Sequence, residues 1–251
     1  MTLEEFFRQN PQAALAFSGG VDSAYLLWAG AHAGARLRPY FIKTPFQPRF
    51  ELEDAWRLCA QLDAGLTVVE YDILSDPQVA SNPADRCYHC KKRLFSLLRG
   101  RAAADGFSLL LDGTNASDDG GDRPGMRALA ELEVRSPLRE CGLTKETIRA
   151  LSRQAGLFTW DKPSYACLAT RVPAGQPIIR ADLERVERGE ARLSRLALRD
   201  FRLRLTQGGC KLQVPEEQLP LVLARRSEIL SALEADFSEI TLDLRSRIPI
   251  D

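Results

Sequence analysis

The chain of 251 residues carries no net charge, because Lys plus Arg and Asp plus Glu each number 34. The lack of a basic excess removes a global field for nucleic acid, and the lack of an acidic excess removes a drive toward disorder. No apolar run approaches the length of a membrane span, so no membrane partner is expected. The opening residues Met1-Thr-Leu-Glu-Glu-Phe-Phe lack a basic stretch followed by an apolar one. No secretory signal is therefore expected, and the cytoplasm is the expected compartment. There is no internal repeat and no low-complexity tract. No Gly-Lys-Ser/Thr is present, which excludes a Walker A loop. A second Cys-x-x-Cys is missing too, which argues against a zinc site built from four cysteines.

What is present fits an α/β core with a smaller appended domain. Strand candidates at Ala13–Phe17, Pro39–Ile42, Leu66–Tyr71 and Phe107–Leu111 alternate with helical patterns at Val21–Ala33, Glu51–Leu62 and Cys90–Ala104. That alternation predicts a parallel sheet with helices on both faces. Thr144 is the expected N-cap of a helix ending at Gly156. Residues 160 to 177 combine Pro and Gly with Trp160, Tyr165 and Cys167, as an ordered active-site loop would. The pattern then changes. A helix at Ala181–Leu198, strands at Phe201–Thr206 and Cys210–Val214 across a Gln207-Gly208-Gly209 turn, a helix at Glu216–Glu234 and a strand at Ile240–Leu244 predict a small α+β domain. The expected division is 1–160, a linking loop at 161–177, and 178–251.

Ser18-Gly19-Gly20-Val21-Asp22-Ser23 lies between the first strand and the first long helix. Glycines let backbone N–H groups close on a phosphate, and the helix adds its positive dipole end. Ser18 and Ser23 offer hydroxyl donors. Asp22 repels phosphate directly, so its expected task is to hold Mg²⁺ against the phosphates of ATP. In sheets of this kind ligands bind at the carboxyl ends of strands. Asp112-Gly113-Thr114-Asn115 falls at another such end. The six-residue string resembles the PP-loop of the ATP-pyrophosphatase superfamily, which implies cleavage of ATP to AMP and pyrophosphate.

Of six cysteines, Cys59 sits on an apolar helix face, and Cys141 and Cys210 read as small fillers. Cys87-Tyr88-His89-Cys90 differs. It opens a basic helix continuing Lys91-Lys92-Arg93, and a helix N-terminus beside cations favours thiolate. Cys167 offers a third thiolate. Two plus one cysteines suit three irons of a cubane cluster with the fourth iron open.

The PP-loop string, Asp85 to Lys91, Asp112 to Asn115, Lys162-Pro163 to Arg171, Pro173-Ala174-Gly175 and Arg202-Leu203-Arg204, in that order, resemble the LarE family. The resemblance runs from about Glu4 into the last strand. It implies a PP-loop sheet with a C-terminal α+β domain that binds substrate phosphate and oligomerises. It also implies adenylation of a carboxylate of pyridinium-3,5-biscarboxylic acid mononucleotide, then replacement of oxygen by sulfur, in synthesis of the nickel-pincer nucleotide. Cys167 matches the cysteine shared across the family. Cys87 and Cys90 match the extra pair of the [4Fe-4S] type. Arg202 and Arg204 match arginines that bind substrate phosphate, with Arg171 a further candidate for phosphate or AMP. Glu190 matches a position proposed to hold a divalent ion. Gln213 departs from the family, standing where an acidic residue is expected, and the tail Leu242 to Arg247 is short. Two other readings use the same parts: thiolation of a tRNA base, and a non-catalytic iron–sulfur scaffold with a relic nucleotide loop. Zero net charge and the lack of a recognisable RNA-binding domain weigh against the first, and the intact Asp22 and Ser23 against the second.

Overall fold

The computed structural model describes residues 1–118 and 124–247. Its first elements are α1 (Leu3–Gln9), β1 (Gln12–Ala16), α2 (Val21–His32), β2 (Arg36–Lys43), α3 (Arg49–Gln61), β3 (Thr67–Glu70), α4 (Pro77–Ala80), α5 (Arg86–Ala104) and β4 (Leu110–Leu111). There follow α6 (Pro124–Glu131), α7 (Pro137–Glu140), α8 (Lys145–Gln154), α9 (Arg180–Ser194), β5 (Arg202–Leu205), β6 (Gly209–Gln213), α10 (Leu219–Ala224), α11 (Arg226–Leu233) and β7 (Glu239–Leu242). These elements form two compact units. One holds residues 1–72 and 85–162, and the other holds 73–84 together with 163 onward.

The first unit is α/β, with an all-parallel sheet in the order β3-β2-β1-β4. Ala13, Ala14 and Leu15 of β1 are fully buried, as a central strand covered on both faces requires. The chain runs outward from β1 to β2 and β3, then returns to β4 on the other side of β1. The topological switch therefore lies between the carboxyl ends of β1 and β4, where open α/β sheets bind ligands. The β4 ladder is shorter than the expected Phe107–Leu111, pairing with β1 only at Ala14↔Leu110 and Leu15↔Leu111. Phe107 instead buries its ring edge-on against Tyr40, with centroids 6.4 Å apart. Helix α8 starts and stops as expected. Thr144 caps it by accepting from the Thr147 N–H, and Gly156 beyond its end takes a φ of +68°, the left-handed conformation glycine tolerates.

The second unit has a three-stranded sheet in the order β5-β6-β7. The Gln207-Gly208-Gly209 turn closes the β5–β6 hairpin, and β7 adds parallel to β6. Gly209 is required there, since a Cβ would collide with the Glu239 carbonyl of β7. Helix α9 buries Leu183, Val186 and Leu193, and a Cβ at its Gly189 would collide with the Leu203 side chain of β5. The single helix expected over Glu216–Glu234 is instead a short 3-10 turn followed by α10 and α11, which meet at Arg225. Pro220 falls in the first turn of α10, where its missing N–H costs nothing. Residues 73–84 join this unit through hydrogen bonds that no local pattern announces. The Gly175 N–H donates to Asn82 O (2.9 Å), the Ile178 N–H to Ala80 O (2.7 Å), and Asn82 Nδ2 to Pro173 O (2.8 Å). The units are thus discontinuous in sequence, unlike the contiguous division at 160 and 178. Residues 248–251 of that division lie outside the described residues. Among the described residues no helix is long and apolar enough to cross a membrane.

Candidate functional site

In the first unit the glycine-rich loop leaves the carboxyl end of β1 and turns straight into α2. Gly19 has a φ of +70°, and a Cβ there would lie 3.1 Å from both Glu51 O and Ala55 N of α3. Only glycine meets both demands. Gly20 is the N-cap of α2 and supplies no side-chain cap, so the first-turn N–H groups keep their donors for an anion. Val21 is buried and anchors the helix start. The Ser18 and Ser23 hydroxyls lie 3.2 Å apart, and Ser23 Oγ donates to Gly20 O (3.3 Å).

The loop after β4 approaches from the other side of the switch. Gly113 allows this, because a Cβ would come 3.0 Å from Ser23 N. Asp112 is buried and accepts from Thr114 Oγ1 (2.5 Å) and Ser136 Oγ (2.6 Å), which fixes the turn. Asn115 is buried and donates from Nδ2 to Asp22 Oδ1 (3.1 Å). The other Asp22 oxygen accepts from Lys145 Nζ at 2.5 Å. A carboxylate has about four acceptor sites, two per oxygen. Among the described residues one site on each Asp22 oxygen is filled, which leaves one on each for a metal ion such as Mg²⁺. A cavity of about 590 Å³ opens here, with Ser18, Asp22, Ser23, Thr114, Cys87 and Lys91 in its wall. That volume suits a nucleotide. Lys162 also closes on the loop, with Nζ 2.6 Å from Asp54 Oδ2 and 3.3 Å from Gly19 O.

Cys87 and Cys90 lie near the start of α5, Cys87 exposed and Cys90 half-buried. Spacing of three residues puts both on one helix face, as two corners of an iron–sulfur cluster need. Cys167 is half-buried in the second unit. Among the described residues no group of three or more His, Cys, Asp or Glu is gathered for a metal ion. The donor chemistry suits an iron–sulfur cluster, and the first unit brings two of the three candidate thiols onto one helix face. The remaining cysteines are packing groups. Cys59 and Cys210 are buried, which pushes each thiol up to about 12, and burial also raises the half-buried Cys141.

In the second unit the segment around Cys167 is held by its own neighbours. Cys167 precedes a 3-10 turn, Leu168–Arg171, and its carbonyl accepts from the Thr170 N–H (3.0 Å) and Thr170 Oγ1 (2.9 Å). Arg171 is 1% exposed. Its Nη1 donates to Ala166 O (2.8 Å) and Thr170 Oγ1 (2.8 Å), and its Nε and Nη2 bind Glu190 at 2.8 and 3.1 Å. Burial works against the Arg171 charge, but the attraction and hydrogen bonds of Glu190 outweigh it and leave its pKa raised. Arg171 thus directs its hydrogen bonds to Glu190 and to its own loop, at the position where the sequence suggested contact with phosphate or AMP.

Arg202 and Arg204 do share a strand face, and both turn toward the same loop. Arg202 Nη2 donates to Ser164 O (2.5 Å), and Arg204 Nη1 donates to Thr170 O (2.6 Å). Burial, then repulsion from Arg171 and Arg247, pushes the Arg202 pKa down to about 10 and lowers that of Arg204. Gln213 accepts from Arg204 Nε and donates to Asp243, bridging the two where an acidic residue was expected.

Similarity to other proteins runs over nearly the whole chain. No protein-family model matches it. An uncharacterized protein of Synechocystis sp. is 34% identical over 252 residues, covering 96% of this chain and 92% of that protein. The pyridinium-3,5-bisthiocarboxylic acid mononucleotide synthase of Lactiplantibacillus plantarum is 28% identical over 246 residues, covering 97% of this chain and 89% of its own length. The chain belongs to the LarE family. An uncharacterized protein of Methanocaldococcus jannaschii is 27% identical over 243 residues, covering 96% of this chain and 92% of that protein. Coverage this complete takes in both units, so this LarE-family chain matches its relatives in the glycine-rich loop unit and the Cys167 unit together.

Lys145 and Ser136 were not singled out in the sequence. Lys145 did leave a signal, since a cation in the first turn of a helix opposes the dipole and needs a reason to be there. Its reason is Asp22.

Proposed function

We propose that this LarE-family protein is an ATP-dependent sulfur transferase that acts on a pyridinium biscarboxylic acid mononucleotide. The observation that carries the reading is the half-filled Asp22 carboxylate beside a glycine-rich anion nest at the sheet's switch point. The name of the Lactiplantibacillus plantarum relative supplies the substrate class. The Ser18–Ser23 loop is read as a PP-loop, with Ser18, Gly19, Gly20, Val21 and Ser23 on the phosphates, and Gly113, Thr114 and Asn115 along the nucleotide's edge.

The chemistry follows from the poor leaving ability of a carboxylate oxygen. Transfer of AMP onto it makes a mixed anhydride, and sulfur attack on the acyl carbon then expels AMP. Asp22 would hold Mg²⁺, while the loop N–H groups take the charge that develops on pyrophosphate. Lys145 keeps the Asp22 carboxylate aimed. Cys87, Cys90 and Cys167 would hold a [4Fe-4S] cluster, and an extra sulfide bound to that cluster would be the sulfur delivered. Arg202 and Arg204 are the groups for the substrate phosphate. Arg202 is buried and Arg204 half-buried, and Arg171 and Arg247 repel both more than the nearby carboxylates compensate, so an incoming dianion would relieve that repulsion. The partners are the small nucleotide substrate and further copies of the chain, without nucleic acid or membrane, in the cytoplasm.

The test uses protein purified without oxygen and reconstituted with iron and sulfide. With ATP, Mg²⁺ and pyridinium-3,5-biscarboxylic acid mononucleotide, it should form AMP and a product in which sulfur replaces oxygen, read by mass. Absence of substrate-dependent AMP would refute the reading.

A further inference from the structure

Glu190 is a buried carboxylate in the middle of α9 with every acceptor site filled by the protein. Its Oε1 accepts from Arg171 Nε (2.8 Å) and the Leu203 N–H (3.0 Å). Its Oε2 accepts from Arg171 Nη2 (3.1 Å) and Tyr165 OH (2.5 Å). Four donors on four sites leave none for a cation. Each donor also leads back to one segment. Tyr165 stands two residues before Cys167, and its ring lies against the Arg171 guanidinium at 4.5 Å and the Arg202 guanidinium at 5.2 Å. Arg171 binds the Ala166 carbonyl just before Cys167, and its Nη1 lies 3.4 Å from the carbonyl of Cys167 itself. Leu203 belongs to β5, the strand whose flanking arginines hold Ser164 and Thr170.

We infer that Glu190 is a positioning residue that fixes the backbone on both sides of Cys167, and that it does not hold a divalent ion. Removing its charge leaves the Arg171 guanidinium buried without its counter-ion, which forces that side chain to move. The hydrogen bonds of Arg171 to the backbone at Cys167 then loosen, and the thiol becomes accessible more often. The inference rests on Cys167 being a working thiol, but its readout does not depend on sulfur transfer.

The experiment follows iodoacetamide labelling of the Cys167 peptide by mass spectrometry, in the full chain without nucleotide. Wild type is compared with Glu190→Gln and Tyr165→Phe, and Cys87 serves as the internal control. Folding is checked by circular dichroism. In Glu190→Gln, Cys167 should label faster by about tenfold while Cys87 is unchanged. Tyr165→Phe keeps the Arg171 pair and should show a smaller rise, which serves if Glu190→Gln does not fold. Mn²⁺ titration in an Asp22→Asn background should give the same binding with and without Glu190→Gln. An unchanged Cys167 rate in both folded variants would overturn the inference. So would a Mn²⁺ site that survives Asp22→Asn and disappears with Glu190→Gln. If labelling changes as expected and no sulfur transfer is found, the positioning role stands and the proposed function falls.

Discussion

Asp22 and Glu190 are both carboxylates that meet cations, and they are left in opposite conditions. Asp22 accepts one bond on each oxygen and faces a cavity. Glu190 accepts two on each oxygen and is enclosed. The cations differ in the same way. Lys145 steadies a group at the edge of open space, whereas Arg171 binds the chain's own carbonyls and a buried partner. A carboxylate with free acceptor sites beside a cavity is equipped to bind. One whose sites are all filled is equipped to hold structure. A carboxylate seen only as a letter in the sequence is consistent with either role, and counting its filled acceptor sites separates them.

The largest effect should come from breaking the enclosed pair. Arg171→Met leaves Glu190 buried without its partner, and removing one member of such a pair costs about 3–5 kcal/mol. Urea unfolding should show that loss in the second unit while Mg²⁺-ATP binding by the first unit persists. Equal loss of ATP binding would erase the distinction drawn here. Next comes Asp22→Asn, which should lower AMP formation by on the order of a hundredfold, the usual consequence of losing one charge-stabilising group at a reacting centre. Its Cys167 labelling should match wild type.

Lys145→Met should act in the same direction as Asp22→Asn but more weakly, by about tenfold in AMP formation, because it removes one charge-assisted hydrogen bond and leaves the carboxylate. A Lys145 effect as large as that of Asp22 would mean that the lysine itself meets the phosphates. The smallest effect concerns Asp243. Hydrogen bonds from Gln213, Lys211 and the Arg245 backbone lower its pKa from 3.8 to about 2. Its carboxylate thus adds stability above pH 3.8 that is lost as the pH falls toward 2. Asp243→Asn should flatten the acid limb of second-unit stability in that window, followed by circular dichroism.

Much of the first unit was legible because its signals are local. The apolar run at β1, the glycines at 19 and 20, the Thr144 cap and the Gly156 stop each dictate backbone angles within a few residues. The apolar spacing around Cys59 likewise marked it as core. The second unit read less well. A helical pattern over Glu216–Glu234 hid the break at Arg225, and residues 73–84 carry no local mark of the unit they join.

The sequence by itself determined the strand–helix alternation of the first unit and several of the glycine and threonine positions that punctuate it, because those depend on dihedral preference and periodicity among near neighbours. It also determined the glycine-rich loop and the thiols that stand outside the core. Only the tertiary structure decided which charged groups are occupied. Lys145 meets Asp22 across 123 residues, and Arg204 meets Thr170 across 34. Whether an oxygen's acceptor sites are filled depends on donors that folding brings from elsewhere in the chain, and no local spacing records them.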